Sequence, residues 1–347
     1  MAARGERRGG ARRAGGLLAV LLALGAALAG KAAARPLLLA TWDLDGLAAE
    51  PALPAAGEAS PSGMPAATEN GGEGSGGAKA EPPARFTFGS EGKDLDALAR
   101  YAARLAPDVI ALEGIASREA AARLFPPERY AFAFADVPPP FGLGFAVRRE
   151  LTLTRHPDLA ALDVYGPEAK WHLRAGADVT VAGPGLPPLR LLAVHLKAGC
   201  RRGLDAGGGR AACRVLSAQL EEIARWIAAR EREGAAFAVL GDFNLEANGR
   251  DGLLTALGPG RELPGGGLLE PTARYASPCW GGEPFVDRIV LGGAARAWVV
   301  PGSLHVLVYR ETERAARARL SSHCPVALRL DPEGKADPGN AGGEGTP

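Results

Sequence analysis

The sequence is poor in the signals that mark most enzyme and binding classes. It has no surplus of charge. Its 40 Lys and Arg against 39 Asp and Glu leave a formal +1, so it lacks the basic footprint that holds nucleic acid at physiological salt. It has four Cys but no C-x-x-C spacing, which excludes a zinc ribbon. The glycines at 207–209 lack a following Lys-Ser/Thr, so they are not a phosphate-binding P-loop. No G-x-S-x-G elbow and no H-E-x-x-H pair is present, which excludes the serine-esterase and zincin sites that those motifs build. No internal repeat is found, which excludes solenoids. The one long apolar run, Leu17 to Ala29, falls short of the ~20 residues that a membrane-spanning helix needs.

That run is nonetheless informative. Arg4, Arg7, Arg8, Arg12 and Arg13 precede it, and Ala27-Leu28-Ala29 closes it with small residues. A charged start, a short apolar centre and an A-x-A end describe a secretory signal peptide over 1–29. An uncleaved anchor is the alternative. No Cys follows the run, so a lipoprotein is not indicated. Removal of five Arg and Glu6 would take the formal charge from +1 to −3. The expected destination is secreted or periplasmic, with no transmembrane segment after processing. In such a compartment Cys200, Cys213, Cys279 and Cys324 favour disulfides over metal binding. Cys200 and Cys213 flank a Gly-rich loop and could staple it. Cys279 with Cys324 is a candidate second bridge, but four Cys allow three pairings.

Residues 48–85 are rich in Ala, Pro, Gly, Glu and Ser without apolar period, and read as a flexible insertion. The tail, 331–347, reads the same way. Between them strands and helices alternate. Apolar runs at Pro36–Trp42, Val109–Leu112, Phe141–Val147, Val179–Val181, Leu189–Leu196, Ala236–Leu240, Phe285–Leu291 and Val326–Leu330 suit buried strands. Leu95, Leu98, Ala102 and Leu105 share a helical face that ends before Pro107. Cys213, Leu216, Leu220, Ile223 and Ile227 share another. The pattern predicts one α/β domain over 36–330, with two packed sheets and helices outside. A monomer is expected.

Polar groups cluster at the ends of the strands. TWDLDG (41–46), ALEG (111–114), VHLK (194–197), GDFN (241–244) and VDR (286–288) each set polar groups after an apolar strand, and SSHCP (321–325) precedes the last one. Strand ends are where side chains converge without disturbing a core. Asp, Glu, Asn and His are the groups that metal-assisted phosphoryl chemistry uses. In this order the motifs resemble the endonuclease/exonuclease/phosphatase superfamily, the DNase I-like fold, and most of all its bacterial exported branch. There the HLK run is followed by Gly-Cys, a second Cys opens a helix and Cys-Trp precedes the VD strand, as Gly199-Cys200, Cys213 and Cys279-Trp280 do here.

The resemblance implies a four-layer α/β/β/α sandwich and hydrolysis of phosphoesters with Mg²⁺ or Mn²⁺. It implies that His195 contacts phosphate, that Asp242 helped by Asn244 handles the attacking water, and that Asp287 orients His323. Asp45, with Asp43 beside it, would lie at the metal. The chain departs from the family pattern at four places. Asp43 stands where Asn is usual, and Glu113-Gly114 where Gln-Glu is usual. Ser322 stands where Asp is usual, and Arg288 where His is frequent. Loss of carboxylates at 114 and 322 predicts weak metal binding. Strand alternation should point Glu113 away from the side that Gly114 faces, and only a bulge would bring it round.

Two readings follow. One is a phosphoester hydrolase acting on nucleic acid, a phospholipid or a small phosphorylated molecule. The other is an inactive member of the fold that binds a phosphate ligand or a protein. Blander accounts of single residues remain open: a satisfied core role for His195 and His323, a solvated strand end for Asp43 and Asp45, and core roles for Trp42, Trp171, Trp226 and Trp280.

Overall fold

A computed structural model describes residues 35–47, 93–136, 142–201, 204, 210–246, 252–258, 267–273 and 275–334, besides Met1. The expected signal segment after Met1, the expected insertion at 48–85 and the chain beyond 334 lie outside these residues. In chain order the first half holds β1 (Leu37–Leu47), α1 (Leu95–Leu105), β2 (Val109–Ile115), α2 (Arg118–Leu124), β3 (Tyr130–Phe134), β4 (Gly142–Arg148) and β5 (Thr152–Arg155). Then come β6 (Ala177–Gly183), β7 (Leu186–His195), α3 (Ala211–Arg232), β8 (Ala236–Asp242) and α4 (Leu253–Leu257). The chain closes with β9 (Ala276–Ser277), β10 (Glu283–Pro284), β11 (Asp287–Gly292), β12 (His305–Val306), α5 (Arg314–Arg319) and β13 (Val326–Leu330).

Strand β1 shows why four layers form. Its side chains alternate between faces, and both faces are buried. Leu37 and Leu39 join a core with Val109, Phe145, Leu189, Leu191, Leu240 and Ile289, which lies between the two sheets. Ala40, Trp42 and Leu44 turn the other way, onto Leu98, Tyr101 and Leu105 of α1. On the far side, Leu216, Leu220, Ile223 and Ile227 of α3 cover Leu192, Val194, Phe237 and Val239 of the second sheet. Helix, sheet, sheet, helix is the α/β/β/α sandwich that the motifs implied.

The sheets run β12-β13-β1-β2-β4-β3 and β11-β8-β7-β6-β5. In the first, β1 and β2 are parallel and β13 is antiparallel to β1. In the second, β7 and β8 are parallel and β11 is antiparallel to β8. The ends of the parallel strands and the starts of their antiparallel neighbours therefore meet at one edge of the sandwich.

The structure corrects several expectations. Asp287 opens β11 instead of ending a strand. An antiparallel partner starts where its neighbour stops, so Asp287 still pairs with Asp242. Trp171 is 73% exposed, because it sits in the connection before β6 rather than on a strand or helix face. Strand β5 carries too little apolar pattern to be anticipated, and β3, apolar but only five residues long, lies outside the expected strands. Arg288, beside Asp287, turns to the opposite face and forms a fully buried pair with Glu270. Its Nε and Nη2 donate to the two carboxylate oxygens at 2.5 and 2.6 Å. Removing one partner of such a pair strands a buried charge. Glu270→Ala is expected to destabilise the protein by about 3–5 kcal/mol, read from urea denaturation.

Candidate active site

The edge where the strands meet gathers most of the polar residues singled out above. The pairing β7–β8–β11 sets His195 beside Asp242 and Asp242 beside Asp287. His323 comes from the turn before β13, and Asp43 from the facing sheet.

Asp242 and Asn244 form a local clamp. Asp242 Oδ1 accepts the Asn244 backbone N–H at 2.7 Å, and Oδ2 accepts its side-chain amide at 2.7 Å. Asn244 takes a positive φ of 50°, which Asn tolerates better than most residues. Its amide also donates to the Leu196 carbonyl at 3.1 Å, tying the end of β8 to the end of β7. His323 Nδ1 lies 2.8 Å from Asp287 Oδ2, the dyad that the resemblance implied. His195 stands between two carboxylates, with Nδ1 3.4 Å from Asp43 Oδ2 and Nε2 3.5 Å from Asp242 Oδ2. Two buried atoms here, His195 Nδ1 and Asp287 Oδ1, have no hydrogen-bond partner. Each such atom costs about 1–3 kcal/mol, and binding sites are where native proteins carry that cost.

The turn that holds His323 is anchored from the helix side. Trp42 Nε1 donates to Tyr309 Oη at 2.9 Å, and Tyr309 Oη donates to the His323 carbonyl at 2.7 Å. Ser321 Oγ donates to the Asp43 carbonyl at 2.7 Å. Trp280 Nε1 donates to the Ser321 carbonyl at 2.9 Å. A disulfide joins Cys279 to Cys324, the residue after His323. The second disulfide joins Cys200 to Cys213, so of the three possible pairings the structure takes the one that staples the Gly-rich loop.

The departures from the family pattern are now spatial. Registers shift after Asp43↔Glu113 and between Leu112 and Ile115, so a bulge does lie at Gly114. It does not bring Glu113 toward Asp45. Glu113 stays on the inter-sheet face, fully buried, and accepts from Thr41 Oγ1 at 3.0 and 3.1 Å. Gly114 takes φ +58°, and a Cβ added there would lie 2.5 Å from Asp43 Oδ1. Asp45 is turned aside. Its Oδ2 accepts the Ser322 N–H at 2.5 Å and Ser321 Oγ at 3.2 Å, and its Oδ1 accepts Ser322 Oγ at 3.0 Å.

Burial and mutual repulsion set the protonation. Burial raises the Asp242 carboxyl to about 8; Asp287 and Asp43 add to the rise, while His323 and the Asn244 N–H oppose it. Burial also raises Asp287 against the pull of His323. Glu113 goes well above its usual range through burial and then Asp43 and Asp287. Asp43 is buried too, but His195, His323, the Asp45 N–H and Arg174 bring it below its ordinary value. Burial works against a charged His323, yet Asp287, Asp43 and Asp242 hold it well above the usual imidazole range. His195 goes the other way. Burial lowers it to about 3, with Arg174 and His323 adding to the effect and Asp43 opposing.

Asp43, Asp242 and His323 each offer one ligand atom, and these atoms lie within 4.8 Å of one another. The two carboxylates of this group suffice for an ion such as Mg²⁺ when water and phosphate complete its shell, and His323 then stays protonated beside it. The donor set thus fits an ion. Asp45 is not part of this group, although the sequence paired it with Asp43. Lys197 Nζ, two residues after His195, donates to the adjacent Ala198 carbonyl. Sequence reasoning missed Arg174, whose charge acts on Asp43, Asp242 and His195. It also missed Lys93, whose charge acts on Asp45 and Asp43. Neither lies in a motif; only the count of buried acids, once folded, calls for them.

Residues 70–323 match the family described as the Endonuclease/Exonuclease/phosphatase family, and the chain belongs to it. Among solved structures it is similar to TDP2 from C. elegans, at 15% identity over 91% of this chain and 82% of that one, with a TM-score of 0.51. It is similar to an endonuclease/exonuclease/phosphatase family protein from Bacteroides thetaiotaomicron, at 13% identity over 85% and 95%, with a TM-score of 0.51. It is also similar to D. rerio TDP2 complexed with a single-strand DNA product, at 16% identity over 85% and 99%, with a TM-score of 0.50. These likenesses establish the fold. No curated protein matches the chain by sequence.

His195 yields a pH prediction. Its imidazole is neutral in the fold until about pH 3, whereas an ordinary imidazole takes up its proton near 6.5. Between those values the unfolded chain binds the extra proton, so stability falls as pH falls. His195→Gln should remove about 2 kcal/mol of the acid-side loss between pH 7 and 4.5, measured by urea denaturation against wild type. An unchanged pH slope would refute the neutral assignment.

Proposed function

We propose that the chain is an exported phosphoester hydrolase, of phosphodiesterase/nuclease or phosphatase type, that works with a weakly held divalent ion. The supporting observation is the convergence of the Asp242–Asn244 clamp and the Asp287–His323 dyad on Asp43 at one edge of the sandwich. An ion on Asp43 and Asp242 would polarise a phosphoryl oxygen and steady the leaving oxygen.

The chain's own groups divide the remaining work. Asp242, held by two hydrogen bonds from Asn244, orients the attacking water and takes its proton once a nearby cation brings the carboxyl into its ionised form. His323, kept protonated by Asp287, offers positive charge where the phosphoryl group gathers negative charge. His195, neutral and set between Asp43 and Asp242, offers a hydrogen bond to a phosphate oxygen. Weak ion binding follows from Gly114 and Ser322, which bring no carboxylate, and from Asp45, whose oxygens are bonded to Ser321 and Ser322.

The substrate class spans nucleic acid, phospholipid and small phosphorylated molecules. The likeness to a structure holding single-strand DNA product supports the first, and the near-zero charge does not single it out. Export is supported by the sequence of 1–29 and by two disulfides, which persist in oxidising compartments. No helix of the described residues is long and apolar enough to cross a membrane. The domain is read as 36–330, with an insertion at 48–85, and as a monomer.

One observation favours a second reading, an inactive binding module. Gly114 is closed to a ligand side chain, since any Cβ would crowd Asp43. Turnover decides between the two. With Mn²⁺ or Mg²⁺ the full chain should hydrolyse an aryl phosphodiester or DNA, and chelator should stop it. Asp242→Asn and His323→Ala should each lower kcat/KM by about 10²–10⁴-fold. Absent turnover together with absent ion binding in calorimetry would leave the binding module. Gly114→Glu should not repair the site. Its positive φ and the Asp43 contact predict destabilisation of about 1–3 kcal/mol, read from the thermal midpoint.

A further inference from the structure

Lys93 precedes α1 and is drawn into the site by the chain that leads to His323. Its Nζ donates to the Leu320 carbonyl at 2.9 Å. The next residue, Asp94, donates its backbone N–H to the Arg319 carbonyl at 2.8 Å. Only 7% of the Lys93 side chain is exposed. An ammonium so placed needs an anionic partner to offset its lost hydration. The nearest carboxylate, Asp45 Oδ2, is 3.9 Å away, beyond hydrogen-bond distance.

Asp45 already has its donors. Two hydrogen bonds from Ser322 reach its oxygens, Ser321 Oγ lies 3.2 Å from its Oδ2, and His323 Nε2 lies 3.9 Å from its Oδ1. Lys93 therefore pairs with Asp45 as an ion pair at 3.9 Å without a hydrogen bond to it. Among the described residues its one hydrogen bond goes to a neutral carbonyl. An ammonium carries three N–H donors, so further acceptor oxygens can be taken up. The same stretch of site presents the His323 imidazolium and the Lys93 ammonium around one carboxylate that Ser322 already fills. That is a surplus of positive charge, suited to an anion with several oxygens.

We propose that Lys93 is a built-in cation of the site: its ammonium binds a phosphoryl oxygen of the substrate on the Asp45 side, beside the His323 imidazolium. Positive charge at that place then comes from the chain itself, and the exchangeable ion belongs to Asp43 and Asp242. The proposal rests on the phosphoester reading of the site and adds a phosphate-binding residue to it.

The test uses the full chain, with Lys93→Gln, which keeps a donor for the Leu320 carbonyl without the charge, and Lys93→Arg, which keeps the charge. Binding of inorganic phosphate is measured by calorimetry with chelator present, and hydrolysis of an aryl phosphodiester with Mn²⁺. Lys93→Gln should weaken phosphate about tenfold or more and raise KM, and Lys93→Arg should recover part of both. Phosphate binding equal to wild type in Lys93→Gln overturns the proposal, as does an absence of phosphate binding by wild type. If the wild type binds phosphate through Lys93 but turns nothing over, the hydrolase reading fails while the assignment stands. If turnover persists with phosphate binding and KM unchanged in Lys93→Gln, the reverse holds. Should Lys93→Gln not fold, the side-chain ¹⁵N signal of Lys93 in the wild type decides: phosphate must shift it.

Discussion

The site depends on a single register. The ladder β7–β8–β11 seats His195, Asp242 and Asp287 side by side, and a slip of one residue would send all three to the opposite face. Everything else answers to the crowding that this register creates. Asp43 enters from the facing sheet, and Glu113 lies below it on the same inter-sheet face. Carboxyl groups brought together out of water cannot all ionise cheaply. The response is visible in the partners: a protonated His323 against Asp287, the Asn244 clamp on Asp242, a neutral His195 as a spacer, and Lys93 and Arg174 reaching in.

Most of the fold was legible because its core strands are nearly continuous apolar runs and its two main helices repeat with clear period. The boundaries of α1 and β13 were as anticipated, and β1, β2 and β8 run past their apolar parts into the polar motifs. What escaped notice was short or ambiguous. β3 alternates Ala with aromatics, and β5 is a four-residue edge strand, largely exposed. Trp171 looked like core only because tryptophans usually are.

The site was legible where motif and strand end coincide, at His195, Asp242, Asn244, Asp287 and His323. It was illegible where folding decides between chemically similar groups. Asp43 and Asp45 are two residues apart and look equivalent in sequence. The bulge at Gly114 and the positive φ of Asp45 split them, so Asp43 joins Asp242 and His323 while Asp45 binds the serines. Lys93 and Arg174 could not be read at all. A long cationic side chain is the commonest of surface features, and nothing local in sequence says which one turns inward.

The bridge between Cys279 and Cys324 closes a span of 45 residues and lands one position from His323. Such a link takes about 4 kcal/mol of freedom from the unfolded chain, and it does so beside the imidazole rather than at a remote surface. The histidine's turn is thereby held by a covalent tie as well as by the hydrogen bonds of Tyr309, Trp280 and Ser321. Reduction of that bridge would leave the strands and the core in place and loosen the chain first at the residue beside the imidazole.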